Sequence, residues 1–239
     1  MSGPRTKGGK SKGATRFTGR ALTTRVKTAK GRKSSSTRWL QRQLNDPYVA
    51  EAQHRGLRSR AAFKLLELDE RYGILKPGHK VVDLGAAPGG WTQVALDRVG
   101  TAGGAVIAID RDEMEALPGA VVLQLDIFDE STPDAIKAAL DGPADVVLSD
   151  MAPAATGHRN TDHLRIMGLC DAALDLAIQI LAPGGAFVAK VWQGGTETDL
   201  LTLMKRRFDQ VKHAKPPASR ADSAEIYVVA TGFRARESD

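Results

Sequence analysis

A glycine-rich segment after a short apolar run is the first feature of this 239-residue sequence that could do chemistry. Residues 83–91 read Asp-Leu-Gly-Ala-Ala-Pro-Gly-Gly-Trp. Small residues let a ligand approach the backbone closely, and a helix that begins directly after them presents free N–H groups. The glycine spacing matches neither the G-x-G-x-x-G dinucleotide fingerprint nor a P-loop, because no Lys-Ser or Lys-Thr pair follows. The segment therefore favours a nucleoside without phosphates, and a tight turn with no ligand is the alternative.

The next two apolar runs each end in an aspartate, at Asp110 and Asp126. Ligands of open α/β sheets bind beyond the carboxyl ends of the strands. At such a place Asp110 is suited to accept hydrogen bonds from both hydroxyls of a ribose, and Asp126 is suited to an exocyclic amine. Each aspartate by itself is also a common solvated turn residue. The first of three consecutive strands thus ends in a glycine loop and the next two end in a carboxylate acceptor. Together these strand ends predict a pocket for a nucleoside of the S-adenosylmethionine type.

A lysine inside an apolar run is the third feature, because Lys190 lies within Phe187–Val191. Its ammonium group is costly to desolvate unless an opposite charge pairs with it. Asp150, which follows the preceding apolar run, is the expected partner. The pair is either a structural link between neighbouring strands or part of a catalytic cleft, and these residues alone leave both interpretations open.

These side chains need elements that bring them to one edge of a sheet. Short runs rich in β-branched residues alternate with helical patterns, which is typical of a mostly parallel sheet with helices on both faces. The predicted strands are Val81–Leu84, Ala105–Ile109, Val121–Leu125, Val146–Leu148, Phe187–Val191 and Ile226–Ala230. The predicted helices are Ser59–Tyr72 with Ser59 as its N-cap, Trp91–Val99, Pro133–Leu140, His163–Leu181 and Glu197–Phe208, with short helices over Ser36–Gly56.

Charge is divided unevenly along the chain. The sequence carries 34 Lys and Arg against 28 Asp and Glu, a net charge of +6, but residues 1–38 contain twelve basic side chains and no acidic one. Residues 39–239 therefore hold 22 basic and 28 acidic side chains, a net charge of −6. We predict a disordered basic arm over residues 1–34, a folded domain over 35–235 and a short tail over 236–239. The arm indicates a polyanionic partner, with a mitochondrial transit peptide as the alternative.

The composition excludes several classes of protein. Cys170 is the only cysteine, so an intrachain disulfide and a cysteine-built zinc site are impossible. No apolar run approaches the roughly 18 residues of a membrane span, and the N-terminus lacks the apolar core of a secretory signal. We therefore expect a cytoplasmic protein that binds neither a membrane nor a metal.

Four segments of the sequence resemble one known family. Residues 56–65 (Gly-Leu-Arg-Ser-Arg-Ala-Ala-Phe-Lys-Leu), 82–91, 149–153 (Ser-Asp-Met-Ala-Pro) and 189–194 (Ala-Lys-Val-Trp-Gln-Gly) are similar, in this order, to motifs of the FtsJ/RrmJ family. The similarity extends over residues 34–232. It implies an α/β, Rossmann-like methyltransferase fold with a mostly parallel seven-stranded sheet. It also implies S-adenosylmethionine as the cofactor and 2′-O-methylation of a uridine ribose in 23S ribosomal RNA, within the large ribosomal subunit.

The resemblance also implies which residues form the site. The catalytic set of the family falls on Lys64, Asp150, Lys190 and Glu225, the cofactor contacts fall on Gly89, Trp91, Asp110, Asp126 and Asp150, and Tyr227 matches a further site residue. Lys190 is expected to orient the 2′-oxygen and to assist its deprotonation. Lys64 and the sulfonium of the cofactor would lower the pKa of Lys190, whereas the two carboxylates would raise it. Because the four groups titrate together, the sequence does not assign one base.

Basic residues beside Lys64 are the first candidates for binding RNA. They are Arg55, Arg58 and Arg60, and the clusters Lys205–Arg207 and Lys212–Lys215 are further candidates. For Lys205–Arg207 a solvated helix face is the favoured alternative. Ala154 and Ala62 depart from the residues usual in the family, Asn and an aromatic respectively, and bear on the fit of the substrate.

Two alternatives to this function stay open, and we expect a monomer in every case. Related enzymes perform the same chemistry on transfer RNA. A non-catalytic RNA-binding factor could retain the fold, although the intact catalytic set argues against it. An NAD-dependent dehydrogenase is disfavoured, because the dinucleotide fingerprint is missing.

Overall fold

The computed structural model describes Thr24 and residues 34–100, 103–153, 156–192 and 198–235. The predicted arm, apart from Thr24 and Ser34, and the predicted tail therefore lie outside the described residues. The chain divides into two compact units, Met1–Ala50 and Glu51–Asp239. In the first unit, helix α1 spans Ser34–Leu44, and the backbone N–H of Thr24 donates to Asn45 Oδ1 at 2.7 Å. Helix α2 spans Pro47–His54.

The larger unit is built around a seven-stranded sheet. Its strands are β1 (Lys80–Leu84), β2 (Ala105–Asp110), β3 (Ala120–Gln124), β4 (Ala144–Ser149), β5 (Leu181–Trp192), β6 (Phe208–Ala214) and β7 (Glu225–Phe233). Their order across the sheet is β3-β2-β1-β4-β5-β7-β6. Strands β1 to β5 pair in parallel, whereas β7 runs antiparallel to β5 and β6. The predicted α/β class and the mostly parallel seven-stranded sheet are confirmed.

Helices cover both faces of this sheet and enclose one hydrophobic core on each. They are α3 (Ala62–Tyr72), α4 (Gly90–Val99), α5 (Thr132–Leu140), α6 (Arg159–Ile180) and α7 (Thr198–Arg207). Val82 and Leu84 of β1 pack with α5, α6 and α7, whereas Val81 packs with α3 and α4. This alternation follows from the two-residue period of a strand. None of the described helices is both long and apolar enough to cross a membrane.

The sequence prediction missed one strand and misplaced the boundaries of several other elements, most of all those of α6 and β5. Strand β6 buries only its two end residues fully, so it has no continuous apolar run by which to recognise it. Helix α6 begins at Arg159, four residues before the predicted His163. Strand β5 begins at Leu181 and not at Phe187, because Leu181 pairs with Ala144 before an irregularity in the register.

The prediction of Ser59 as an N-cap was wrong. Helix α3 begins at Ala62, and its N-cap is Ala61, which makes no side-chain capping bond. Ser59 instead lies in the preceding turn, where its carbonyl accepts a hydrogen bond from the N–H of Ala62 at 3.3 Å. Its hydroxyl packs so closely on Gly90 that a Cβ at that glycine would overlap it. Ser59 therefore contributes to the contact between α3 and α4.

Candidate active site

Lys190 and Asp150 meet at the carboxyl edge of the sheet. Asp150 directly follows β4, and Ser149 pairs with Ala189 of β5, which places Lys190 beside Asp150. Lys190 Nζ lies 2.8 Å from Asp150 Oδ1 and donates to the backbone oxygen of Asp150 at 2.9 Å. Lys190 is only 6% exposed. The ion pair expected between neighbouring strands is present, and its position at the strand ends faces the region where ligands of such sheets bind.

Lys64 reaches the same carboxylate from helix α3. Its Nζ lies 3.6 Å from Asp150 Oδ1 and 3.6 Å from Glu225 Oε2. It also donates a hydrogen bond to the hydroxyl of Tyr227 at 2.9 Å, and that hydroxyl donates to Asp150 Oδ1 at 2.5 Å. Tyr227 therefore forms a hydrogen-bonded bridge between Lys64 and Asp150.

Glu225 completes the cluster from strand β7. Lys190 Nζ lies 3.9 Å from Glu225 Oε1. Tyr227 pairs directly with Lys190 across β5 and β7, so the two side chains share one face of the sheet, and Glu225 shares it because it lies two residues before Tyr227. Four elements thus bring together two cations, two carboxylates and a phenol from distant parts of the sequence. We call Lys64, Asp150, Lys190 and Glu225 the tetrad.

The two lysines of the tetrad differ in the direction of their pKa shifts. Burial lowers the pKa of Lys64, and the nearby charge of Lys190 acts in the same direction. Burial alone would also lower the pKa of Lys190, but attraction by Asp150 and Glu225 outweighs it and raises that pKa. The sequence left the direction of the shift at Lys190 open, because Lys64 and the two carboxylates act on it in opposite directions. In the structure the carboxylates outweigh the other influences at Lys190, and the lysine with a lowered pKa is Lys64.

Asp150 is held as a carboxylate. Burial alone would raise its pKa, but the charges of Lys190 and Lys64 together lower it below its usual value. Tyr227 stays a neutral phenol, because burial and the adjacent Asp150 raise its pKa well above the ordinary range. At neutral pH the cluster therefore combines an ionised acceptor with a phenolic donor.

A cavity of about 620 Å³ opens at the same edge of the sheet. Three of the predicted cofactor residues, Asp110, Asp126 and Asp150, line it. Gly89 and Trp91 are not among its lining residues. The glycine loop contributes Gly85, whose φ is +72° and whose substitution by any larger residue would overlap Met151 Cγ. The loop can therefore form this wall only with glycine at that position.

The two outer aspartates are partly engaged by the backbone. Asp110 Oδ2 accepts from the N–H of Ala87 and Oδ1 from the N–H of Asp112, each at 2.9 Å. Asp126 Oδ1 accepts from the N–H of Phe128 at 3.0 Å. Because an ionised carboxylate can accept about four hydrogen bonds, both side chains are oriented and still retain acceptor capacity for a ligand.

Trp91 is buried and contacts other protein groups. It is 3% exposed, its indole N–H donates to the backbone oxygen of Ala61 at 2.8 Å, and its ring centroid lies 5.7 Å from that of Tyr227. The side chain therefore joins α4 to the turn before α3 and supports Tyr227 from behind. Gly89 has a φ of +106° and packs beneath the side chain of Arg58, where an added Cβ would be crowded.

The three arginines near Lys64 already have protein partners. Arg55 pairs with Glu51 at 2.6 Å. Arg58 donates to the backbone oxygens of the loops that follow β1 and β2. Arg60 donates to the backbone oxygen of Ala218 at 2.5 Å. Of these three, Arg58 and Arg60 therefore hold loops together, which the sequence alone did not indicate.

The later basic clusters lie near the far edge of the sheet, on α7 and β6. Lys205, Arg206 and Lys212 are exposed. Lys215 donates to the backbone oxygens of Ala221 and Ser223. None of these side chains lines the cavity described above.

Asp83 is a buried residue near the site for which the sequence analysis proposed no role. It is 1% exposed, and Thr92 of α4 donates its hydroxyl hydrogen to Asp83 Oδ2 at 2.7 Å. Burial raises the pKa of Asp83 to about 7, and the charges of Asp150 and Asp110 act in the same direction. A carboxylate at an inward position of the apolar run Val81–Leu84 was the signal that could have identified it.

Comparisons with known proteins agree with this arrangement. The family of FtsJ-like methyltransferases matches residues 57–233. The chain is 62% identical over 238 residues to the Ribosomal RNA large subunit methyltransferase E of Paramagnetospirillum magneticum, covering 96% of this chain and 98% of that protein. The protein of the same name from Rhodospirillum rubrum is 59% identical over 98% of this chain and 92% of its own length.

A solved structure is also similar. It is a crystal structure from Plasmodium falciparum described as that of a ribosomal RNA methyltransferase, with a TM-score of 0.68 and 33% sequence identity. The match covers 75% of this chain and 100% of that one. The matched fold is therefore shared beyond the immediate relatives.

Proposed function

This chain belongs to the FtsJ-like methyltransferase family, and from that membership we propose that it transfers a methyl group from S-adenosylmethionine to the 2′-oxygen of a uridine ribose in 23S ribosomal RNA. The observation that carries the proposal is the double position of Asp150. Asp150 lines the cavity, and its carboxylate accepts hydrogen bonds from Lys190 and Tyr227. A donor in the cavity and a hydroxyl at the lysines would therefore meet at one carboxylate, as direct transfer requires.

The cavity suits the proposed cofactor in size and charge. Its volume of about 620 Å³ falls in the usual range for small-molecule sites. Asp110, Asp126 and Asp150 line it, and such carboxylates favour a cationic ligand with hydroxyl and amine donors. We assign Asp110 to the ribose hydroxyls and Asp126 to the adenine amine, with Gly89 and Trp91 contributing through the backbone and through packing. When bound, S-adenosylmethionine supplies an activated methyl group on a sulfonium.

Lys190 acts on the attacking oxygen in this proposal. Because Asp150 and Glu225 raise its pKa, Lys190 remains an ammonium group at neutral pH. An ammonium beside the 2′-hydroxyl orients the oxygen and stabilises the negative charge that develops there as the proton leaves. In this way Lys190 assists deprotonation without accepting the proton itself.

Lys64 is the lysine better suited to accept that proton. Its pKa is lowered, chiefly by burial, so a larger fraction of it is neutral than of an exposed lysine. The hydrogen bond between its Nζ and Tyr227, and the one from Tyr227 to Asp150, hold the amine in position. Ideal alignment of reacting groups contributes up to roughly 7–11 kcal/mol, and the tetrad provides part of this alignment.

The substrate assignment rests on the relatives. Proteins named Ribosomal RNA large subunit methyltransferase E match nearly the whole chain, so this chain is an RNA methyltransferase and its substrate is ribosomal RNA. We propose that a monomer acts in the cytoplasm on the large subunit. Transfer RNA, to which related enzymes apply the same chemistry, is the alternative substrate.

The decisive experiment offers three RNAs to the enzyme. Purified protein is incubated with methyl-labelled S-adenosylmethionine and with large ribosomal subunits lacking the modification, free 23S RNA or transfer RNA. Label is expected in the 23S RNA of the subunit, and alkaline-resistant 2′-O-methyluridine is the expected product. Label confined to transfer RNA, or a methylated base in place of a methylated ribose, would contradict the proposal. The Lys190→Ala variant serves as the matched control, because it removes the oxygen-orienting cation together with its ion pairs to Asp150 and Glu225 and leaves the other lysine of the tetrad in place.

A further inference from the structure

Arg58 connects two loops that form the cavity wall. Its Nη1 donates to the backbone oxygen of Glu115 at 2.7 Å and to that of Pro88 at 3.2 Å. Its Nη2 donates to the backbone oxygen of Ala116 at 2.7 Å. Pro88 belongs to the glycine loop after β1, whereas Glu115 and Ala116 belong to the loop after β2. One guanidinium therefore binds the backbone of both loops.

The position of Arg58 is itself fixed by α4. Its backbone N–H donates to Gln93 Oε1 at 2.7 Å, and Gln93 Nε2 donates to the backbone oxygen of Gly56 at 3.1 Å. A Cβ added to Gly89 would lie 3.0 Å from Arg58 Nη1 and 3.1 Å from its Cδ, so the side chain rests directly on the glycine loop. The arginine is thus held at its backbone and packed along its side chain before any ligand binds.

The loop after β2 depends on this anchor. Residues 111–119 contain no helix or strand, and β3 begins only at Ala120. The same two loops also meet through Asp110, whose carboxylate accepts from the N–H groups of Ala87 and Asp112. Asp110 lines the cavity, so a shift of either loop would move a carboxylate of the cofactor site.

The chemistry of the contact requires arginine. A guanidinium is a planar fork of five donors that can bind several acceptors at once, whereas an ammonium is a compact point charge on a flexible stem. The three carbonyls belong to two different loops, and both terminal nitrogens of the fork engage them. Lysine at this position would retain the charge but would not hold both loops.

We propose that Arg58 is a positioning residue for the methyl-donor site, which joins the loops after β1 and β2 so that Asp110 faces the cavity. This inference rests on the proposed function, because it assumes that the cavity takes S-adenosylmethionine. It replaces the assignment of Arg58 as an RNA phosphate ligand that the sequence favoured. Its effect on RNA is indirect, through the occupancy of the donor site.

The test compares charge with geometry at one position. Arg58→Lys retains the charge and loses the fork, Arg58→Gln loses both, and Arg55→Gln removes an equal charge from a nearby arginine that pairs with Glu51. Binding of S-adenosylhomocysteine is measured by calorimetry and binding of 23S RNA by filter retention, with thermal unfolding as the check of folding. Arg58→Lys should weaken S-adenosylhomocysteine binding by about tenfold, the equivalent of one charge-assisted hydrogen bond, and leave RNA affinity unchanged.

Kinetics separate positioning from a general loss of structure. For Arg58→Lys, KM for S-adenosylmethionine should rise about tenfold while kcat at saturating cofactor stays near that of the unchanged protein. Arg58→Lys with unchanged S-adenosylhomocysteine affinity would overturn the inference, even if Arg58→Gln fails to fold. Loss of RNA affinity in both glutamine variants, with cofactor affinity retained, would restore the phosphate assignment. If the unchanged protein itself binds no S-adenosylhomocysteine, the proposed function fails instead.

Discussion

Replacement of Asp83 by asparagine is expected to remove a decline in the free energy of unfolding that the original protein shows as pH rises. Asp83 is 1% exposed beneath the glycine loop, and it accepts a hydrogen bond from the hydroxyl of Thr92, which is fully buried. Burial raises the pKa of Asp83 from 3.8 to about 7. Asparagine is nearly isosteric and its amide oxygen can accept the same hydrogen bond from Thr92. The variant therefore changes the titration with little change in packing.

The size of the effect follows from the raised pKa. Between pH 4 and pH 7 the folded protein retains a proton on Asp83 that the unfolded chain has released, so the free energy of unfolding falls as pH rises. A tenfold change in a proton-binding constant corresponds to about 1.4 kcal/mol, so a pKa raised from 3.8 to about 7 corresponds to about 4 kcal/mol. Of this, about 2 to 3 kcal/mol is lost between pH 5 and pH 8, most of it below pH 7.

The assay is urea unfolding of the original protein and the Asp83→Asn variant at several pH values from about 5 to 8. The contributions of the other titrating groups cancel when the two free energies of unfolding are subtracted. Over this pH range the free energy of unfolding of the variant should therefore rise by about 2 to 3 kcal/mol relative to that of the original protein. Thr92→Val is a useful second variant, because loss of the hydroxyl raises the pKa of Asp83 further and extends the decline to higher pH. Parallel stability profiles for the original protein and Asp83→Asn would refute the reasoning, since they would show that the carboxyl is not forced to retain its proton.

Three further predictions concern activity, stability and RNA binding. Lys190→Ala should abolish methyl transfer and leave S-adenosylhomocysteine affinity intact, and near-normal turnover would remove Lys190 from the mechanism. Glu67→Ala should lower the free energy of unfolding by about 1.5–3 kcal/mol in urea unfolding, because Glu67 accepts a hydrogen bond from the N–H of Ala218 at 2.6 Å and anchors the segment before β7. An unchanged urea midpoint would mean that this hydrogen bond contributes nothing to stability. Deletion of residues 1–33 should weaken RNA binding chiefly at low salt and leave the affinity for the cofactor, measured by calorimetry, unchanged. Loss of cofactor affinity would contradict the prediction that these residues act only by electrostatic attraction of RNA.

The sequence was sufficient to predict much of the sheet and the chemical character of its edge. Strands β1, β2, β4 and the second half of β5 are buried on both faces, so each is a largely apolar run with a polar residue at or near its end. The polar ends were therefore visible as Asp110, Asp150 and Lys190. Strand β6 was not visible, because its exposed positions interrupt the apolar pattern.

What the sequence could not supply is the partner of each charged side chain. Arg55, Arg58 and Arg60 look alike in sequence, yet Arg58 binds three backbone carbonyls of distant loops and Arg55 pairs with a glutamate one helical turn away. The residue type does not reveal which backbone carbonyl accepts a hydrogen bond, since every residue has a carbonyl. The basic character near Lys64 therefore indicated RNA, whereas in the fold the charge of Arg58 holds together two loops at the cavity.

Asp150 connects the cavity with both lysines of the tetrad. Asp150 raises the pKa of Lys190 and opposes the lowering of the pKa of Lys64, and the same residue lines the cavity. A cation bound in that cavity is attracted by the same carboxylate and repels both ammonium groups, so it lowers the pKa of each lysine. Under the proposed function, the neutral amine that accepts the 2′-hydroxyl proton is then most abundant when the methyl donor is already in place. The proposed mechanism therefore couples lysine deprotonation to donor binding, so that the RNA hydroxyl would be activated when a methyl group is available.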